Sequence, residues 1–329
     1  MVPIVCVTLK EYQKAKSIFD SCKELKFIPA DLQEHLLAET IKSHKASAAV
    51  LGVDQYKDEL YTALPKGGII LRFGVGHDGV DKKRATEAGL FVTNTPGALD
   101  DSVAEHAILL MGSLARQIPQ HYSNMRSSQW QPSLGYELRG KNLLVVGCGK
   151  IGSKVASIAS FGFGMKVIGY DTQPLNHKEA SRFGFAQLIE SLDEGIKQAD
   201  FISLHIPSIP ATRKFVSLKF LQMMKSSAYI INTSRGPIVD ENALYDIISS
   251  GKIAGAGIDV FENEPYVPIN TSKDLRNLPN VVLTPHVGSS TIEACDRMAE
   301  CVIKNLVAYF QKNREQMDIV NKEILKVKK

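Results

Sequence analysis

The chain has 329 residues, 44% apolar and 22% charged, with a formal charge of +4, an ordinary globular composition that marks no strongly acidic or basic partner. That length exceeds what one hydrophobic core serves, so two domains are expected. Basic residues are dispersed except for Lys326, Lys328 and Lys329, which read as a solvated tail, so no nucleic-acid footprint is indicated.

The apolar start, residues 1–7, is soon followed by Lys10, Glu11 and Lys14, which is too short for a signal-peptide core and reads as a buried strand. Short apolar runs at 2–7, 46–51, 68–73 and 90–92 read as strands, and helical spacing marks 11–22, 31–43, 55–64 and 81–88. Strands alternating with helices imply a parallel sheet with helices on both faces. Pro96 and Gly97 break this series, after which Asp100 or Asp101 can cap a long helix from about 102 toward 121. The stretch 107–130, with Ile108, Leu109, Leu110, Met111, Ile118 and Trp130, is apolar enough either for a core helix within the chain or for a surface that meets a second copy of it.

A second alternating series starts at Lys141, with strands expected at 142–146, 165–170, 201–204, 228–231, 253–258 and 281–283. Six such strands suit a doubly wound nucleotide-binding sheet. Residues 290–313 read as one amphipathic helix that returns to the first lobe, so the domains expected are 1–100 completed by 290–329, and 101–289. No apolar run approaches the roughly 20 residues of a membrane-spanning helix. The five cysteines, Cys6, Cys22, Cys148, Cys295 and Cys301, are scattered without a Cys-x-x-Cys pair, as reduced thiols of a cytoplasmic protein would be.

Directly after the run 142–146 comes G-x-G-x-x-G, formed by Gly147, Gly149 and Gly152 with Cys148, Lys150 and Ile151 between them. Gly147 permits a tight turn, Gly149 lets backbone approach a diphosphate, Gly152 lets helix and strand pack closely, and the helix N-terminus offers amides. Eighteen residues separate Gly152 from Asp171, which ends the next strand and can accept hydrogen bonds from ribose hydroxyls. Thr172, Gln173 and Pro174 bring no arginine for a 2′-phosphate, and Asp171 would repel one, so NAD is expected over NADP, with Lys150 as the residue that softens the preference.

Three later strands each end in polar residues: Arg235 after 229–231, Asp259, Glu262 and Glu264 after 256–258, and His286 after 281–283. A guanidinium can grip a carboxylate in two-pronged fashion, and an imidazole suits proton exchange near neutrality. Glu264 bonded to the far ring nitrogen would orient the imidazole and favour its protonated form. Singly, Arg235 reads as well as an ion-pair residue, Glu264 as a loop carboxylate and His286 as a strand-end histidine. The remaining histidines lack metal-ligand spacing, so no metal is expected.

Taken together, the fingerprint, Ser203 to Pro207 with Thr212, Ile230 to Asp240, Gly255 to Pro265 and Leu283 to Gly288 resemble the D-isomer-specific 2-hydroxyacid dehydrogenase family, over about residues 67–291. The resemblance implies an α/β chain with a Rossmann NAD-binding domain and a second, flavodoxin-like α/β substrate domain. It gives Arg235, Glu264 and His286 the catalytic positions. It places His205, Pro207, Thr212, Thr233, Ser234, Asp259 and Gly288 along the cofactor with Gly147, Gly149, Lys150, Ile151, Gly152 and Asp171. It assigns the substrate carboxylate to the amides of Val75 and Gly76, with Ser102 near the reacting end, where helix capping is an equal reading. The implied activity is hydride exchange between NAD and C2 of a small 2-hydroxy or 2-oxo acid, by a homodimer. Phosphoglycerate and glyoxylate or hydroxypyruvate specificities share the constellation. Co-repressors of the C-terminal-binding-protein type also look similar, but the long disordered extensions usual in them are not expected here.

Overall fold

Residues 2–173 and 175–326 are described in the computed structural model, and the expectations for Pro174, Lys328 and Lys329 fall outside them. The chain divides into two units, Met1–Leu99 with Ser289–Lys329, and Asp100–Gly288.

In the first unit, β1 (Ile4–Thr8), β2 (Lys26–Ala30), β3 (Ala48–Leu51), β4 (Ile69–Arg72) and β5 (Phe91–Thr93) pair in parallel in the order β2-β1-β3-β4-β5. This is the flavodoxin-like strand order. Central strands are buried on both faces, as Ala48–Leu51 and Ile69–Arg72 show at every position, which explains why they read as continuous apolar runs. Strand β2 escapes a hydropathy reading because it is a half-exposed edge strand carrying Pro29, and an edge is where a sheet tolerates proline.

In the second unit, β6 (Asn142–Val146), β7 (Lys166–Tyr170), β8 (Phe185–Leu188), β9 (Phe201–Leu204), β10 (Tyr229–Asn232), β11 (Gly255–Ile258) and β12 (Val281–Leu283) form a parallel sheet, ordered β12-β11-β10-β9-β6-β7-β8. The strand order reverses at β6 and β9, the topological switch point where doubly wound sheets take ligands. Seven strands replace the six expected. The extra one, β8, is a short edge strand with two exposed positions, too polar to stand out by pattern. Alternate residues build two cores: Leu144, Val146, Ile202 and Ile230 on one face, Leu143, Val145, Phe201 and Ile231 on the other.

Several expected helices are divided or shifted. The helix foreseen at 11–22 is split into Leu9–Lys14 and Lys16–Ser21 at Ala15, whose φ of −137° is not helical. That foreseen at 102–121 becomes Asp100–Ala115 and Ile118–Arg126, broken at Gln117 with φ 51°. Asp100 and Asp101 lie inside the first turn rather than at its cap, where acidic side chains still oppose the helix dipole. Ile108, Leu110 and Met111 are core residues, not docking surface, whereas Leu109, Ile118 and Trp130 are exposed. No helix among the described residues is long and apolar enough to cross a membrane.

The C-terminal segment completes the first unit through polar bonds. Helix Ile292–Phe310 is capped by the Thr291 hydroxyl, which accepts the Ala294 amide at 3.1 Å. Beyond it, Ile319 bridges Thr93 in antiparallel fashion and the Val320 amide donates to the Val92 carbonyl at 2.9 Å, covering the β5 edge that would otherwise invite foreign strands. Asn321, 1% exposed, accepts the Val92 amide and donates to the Leu90 carbonyl and the Thr86 hydroxyl, each at 2.9 Å. Asn321→Ala leaves these buried groups unpaired and should lower stability by about 2–3 kcal/mol, measured by urea unfolding. An unchanged midpoint would show that the segment does not support the sheet.

Candidate active site

The glycine turn follows directly from β6. Gly147 has φ +96°, and a Cβ there would lie 2.5 Å from the His205 carbonyl oxygen. A Cβ on Gly152 would lie 2.0 Å from the Gly147 oxygen, so the helix Lys150–Ser157 can seat on the turn only with glycine there. At Gly149, by contrast, a Cβ would meet nothing within 4 Å. That open approach at a helix N-terminus is where a diphosphate fits. Asp171, just beyond β7, accepts the Cys148 amide at 2.7 Å on one oxygen and the Gln173 amide at 2.9 Å on the other. It retains lone pairs for ribose hydroxyls. Lys150 is exposed and Ile151 half-buried at the start of the helix. The Cys148 side chain turns into the core, where burial pushes its thiol up to about 12, leaving it without thiolate chemistry at neutral pH.

Across the switch point, the His205 amide donates to the Val146 carbonyl at 2.7 Å, and its ring Nε2 meets the Ser203 hydroxyl at 2.8 Å. Burial pushes this imidazole down to about 4, so it is neutral at physiological pH and packs rather than exchanges protons. Pro207 and Thr212 belong to one self-locked loop: the Thr212 hydroxyl donates to the Pro207 carbonyl at 2.6 Å and accepts the Ile209 amide at 2.9 Å. Thr212 thereby shapes the loop that carries Pro207. Thr233, 8% exposed, buries a hydroxyl with no partner among the described residues. Together with the open approach at Gly149, that unsatisfied donor fits a dinucleotide.

Strands β10, β11 and β12 are consecutive neighbours with Asn232, Ile258 and Leu283 in register at their ends, so the loops bearing Arg235, Glu264 and His286 leave one rim side by side. Asn232, wholly buried, shapes the first loop: its Oδ1 accepts the Ser234 amide at 3.0 Å and hydroxyl at 2.7 Å, and its Nδ2 donates to the Arg235 carbonyl at 2.9 Å. A Cβ on Gly236 would come within 1.8 Å of the Phe261 carbonyl carbon, so glycine alone lets the Arg235 loop lie against the loop leading to Glu264. The Phe261 amide donates to Glu264 Oε1 at 2.9 Å, and Glu264 Oε2 meets His286 Nδ1 at 2.7 Å. Burial raises the Glu264 carboxyl, but the His286 hydrogen bond and charge, the Phe261 amide and the Arg235 guanidinium together hold it below its ordinary range. With Nδ1 bonded to the carboxylate, Nε2 is the ring nitrogen of His286 that Glu264 does not engage.

Asp259, expected along the cofactor, spends both oxygens inside the protein. Oδ1 accepts the Thr284 hydroxyl at 2.6 Å and the Val287 amide at 2.9 Å, while Oδ2 accepts the Gly288 amide at 2.9 Å. His106, passed over in the sequence, joins this cluster through Nε2, 3.0 Å from the Thr284 hydroxyl and 3.4 Å from Asp259. No helical pattern marks such a residue, because its partner lies 178 positions away. Ser102 is buried in the first turn of the helix Asp100–Ala115. In the other unit, the Val75 carbonyl accepts Asn94 Nδ2 at 2.7 Å, and the amides of Val75 and Gly76 donate to no carbonyl among the described residues.

Residues 108–288 match the D-isomer specific 2-hydroxyacid dehydrogenase, NAD binding domain, family. A protein named glyoxylate reductase from Thermococcus litoralis is 42% identical over 299 residues, covering 88% of this chain and 87% of its own. A solved structure of D-lactate dehydrogenase from Aquifex aeolicus, complexed with NAD and lactic acid, superposes with a TM-score of 0.80 at 28% identity, covering 97% of this chain and 99% of that one. The NADPH-dependent glyoxylate/hydroxypyruvate reductase of Sinorhizobium meliloti, solved with NADP and malonate, gives 0.81 at 30% identity and covers 94% of each chain. With its two parallel sheets, its glycine turn and the polar rim of β10 to β12, this chain belongs to the D-isomer specific 2-hydroxyacid dehydrogenases, NAD(P)-binding oxidoreductases that act on CH–OH donors.

Proposed function

We propose that the protein reduces a small 2-oxo acid, with glyoxylate and hydroxypyruvate as the leading substrates, using NADH. The observation that carries this reading is the 2.7 Å contact of Glu264 with His286 Nδ1, beside the charge of Arg235. A bound nicotinamide would supply the hydride for C2. Arg235 holds the substrate carboxylate and draws electron density toward the carbonyl oxygen, and His286 Nε2 gives its proton to the oxygen as the C=O electron pair moves there. Glu264 keeps the opposite ring nitrogen protonated and fixes the plane of the imidazole. The unused amides of Val75 and Gly76 are assigned to substrate carboxylate recognition, as exposed backbone amides favour anions, and Ser102 to the same substrate. Gly149, Lys150, Ile151 and Gly152 would hold the diphosphate, Asp171 the ribose, and Thr233, Ser234, His205, Pro207 and Gly288 the remainder. The names of the relatives favour glyoxylate over phosphoglycerate as substrate.

Following NADH oxidation with glyoxylate, hydroxypyruvate, pyruvate and 3-phosphohydroxypyruvate tests this reading. His286→Ala should lower kcat by about 10²–10⁴-fold, the usual share of a general acid. Arg235→Lys should raise KM by an order of magnitude through loss of two-pronged binding. Inactivity of the parent across the panel, or full activity of the histidine variant, defeats the proposal.

Asp171 supports NADH over NADPH through repulsion of a 2′-phosphate. The parent should favour NADH in kcat/KM by about tenfold or more, and Asp171→Ala should narrow that ratio by about 1.4 kcal/mol. A parent that prefers NADPH would reverse the cofactor assignment.

We also propose a homodimer. Trp130 and Leu134 are 83% and 94% exposed, beside exposed Ile118, Tyr122 and Met125, a run of large apolar groups that monomers seldom leave in water. Light scattering at micromolar concentration should give twice the 36.1 kDa chain mass, and a monomer mass refutes it.

A further inference from the structure

Glu241 opens the helix Glu241–Ser249, immediately after the Asp240 cap, and is 6% exposed. One carboxyl oxygen accepts the Glu262 amide at 2.6 Å, and the other has no hydrogen-bond partner among the described residues. Glu262 lies in the short segment that presents Glu264. That segment is held from three sides: by Gly236 against the Phe261 backbone, by the Phe261 amide on Glu264 Oε1, and by Glu241 on the Glu262 amide. The Glu262 side chain pairs with Arg213 at 2.7 Å, and Asp240 pairs with Lys214 at 3.1 Å, so each of these cations has a carboxylate partner other than Glu241. An ionised carboxylate with one bare oxygen would be costly here. Burial, then the charges of Glu262, Asp240 and Glu264, raise the Glu241 carboxyl against the opposing effect of the Glu262 amide, which favours the neutral acid.

We propose that Glu241 is a positioning residue for the Glu264–His286 pair, acting by holding the Glu262 amide so that Glu264 meets the imidazole. The inference rests on the reading that this pair performs the proton transfer. It acts through the backbone and touches neither reacting atom. A neutral carboxyl and a carboxamide present the same acceptor to the amide, which makes Gln the informative replacement.

The test compares glyoxylate reduction by the parent, Glu241→Gln, Glu241→Ala, Glu241→Asp and Glu264→Gln, with NADH affinity measured by fluorescence titration. Glu241→Gln should keep kcat within about twofold, because an oxygen remains for the Glu262 amide. Glu241→Ala should lower kcat by about tenfold or more, as small misplacements of catalytic groups do, while NADH affinity shifts less than about twofold. If Glu241→Ala does not fold, Glu241→Asp, which withdraws the acceptor by one methylene, is held to the same standard. Parental kcat in the Ala variant, a Gln variant as impaired as Ala, or a loss of NADH affinity in step with kcat overturns the proposal. Full activity of Glu264→Gln would instead defeat the underlying reading of the pair. An impaired Glu264→Gln beside an unimpaired Glu241→Ala would defeat only the role of Glu241.

Discussion

The buried Asp259 carboxylate is the point about which the candidate site is organised. It is 1% exposed at the end of β11, where an unpaired carboxylate would be strongly disfavoured. Burial raises this carboxyl, yet bonds from His106, Thr284, Val287 and Gly288 outweigh it and leave the group ionised. Hydrogen bonds to a charged group contribute about 1.5–3 kcal/mol each, so the β12 loop gains most by folding around that charge. Folding in this way is what puts His286 where it is.

His286 itself has φ 54°, a left-handed conformation that costs a non-glycine residue about 1–2 kcal/mol. Its amide is offset against that cost by bonds to the Asp259 and Thr284 carbonyls at 2.8 and 3.0 Å. Strain of this kind persists where the surroundings over-determine it, and such places are often functional. The turn directs the side chain to Glu264 and away from the cluster that anchors its backbone. One buried charge thus sets the loop, and a second, partly exposed carboxylate sets the ring.

The two glutamates near the rim illustrate how local chemistry separates roles among like groups. Burial raises both carboxyls; at Glu264 an imidazole, a backbone amide and a guanidinium outweigh it and hold the group below its ordinary range, whereas at Glu241 nearby carboxylates add to it and the group is raised. Opposite neighbours favour the charged form and like neighbours disfavour it. Surroundings divide the histidines as well: His286 meets a carboxylate at 2.7 Å, whereas desolvation alone pushes the His205 imidazole down.

Much of this was legible along the chain because it depends on local periodicity and spacing. Apolar runs bounded by turns located most strands, the glycine turn declared its own geometry, and strand-end placement made Arg235, Glu264 and His286 candidates that only the family resemblance joined into one set. What pattern could not reveal were the edge strands β2 and β8, which are too polar or proline-bearing to look buried, and the breaks at Ala15 and Gln117. Asn232, Glu241, His106 and Asn321 were likewise invisible in their roles, since a polar side chain is defined by the partner it meets. Those partners lie from 2 to 231 residues away, and folding alone brings the distant ones within bonding range. Sequence by itself determined the elements and the chemical types available, through short-range sterics and hydrophobic patterning. Tertiary structure decided which groups share a hydrogen bond and which carboxyls stay charged, because those depend on burial and on neighbours supplied by other strands.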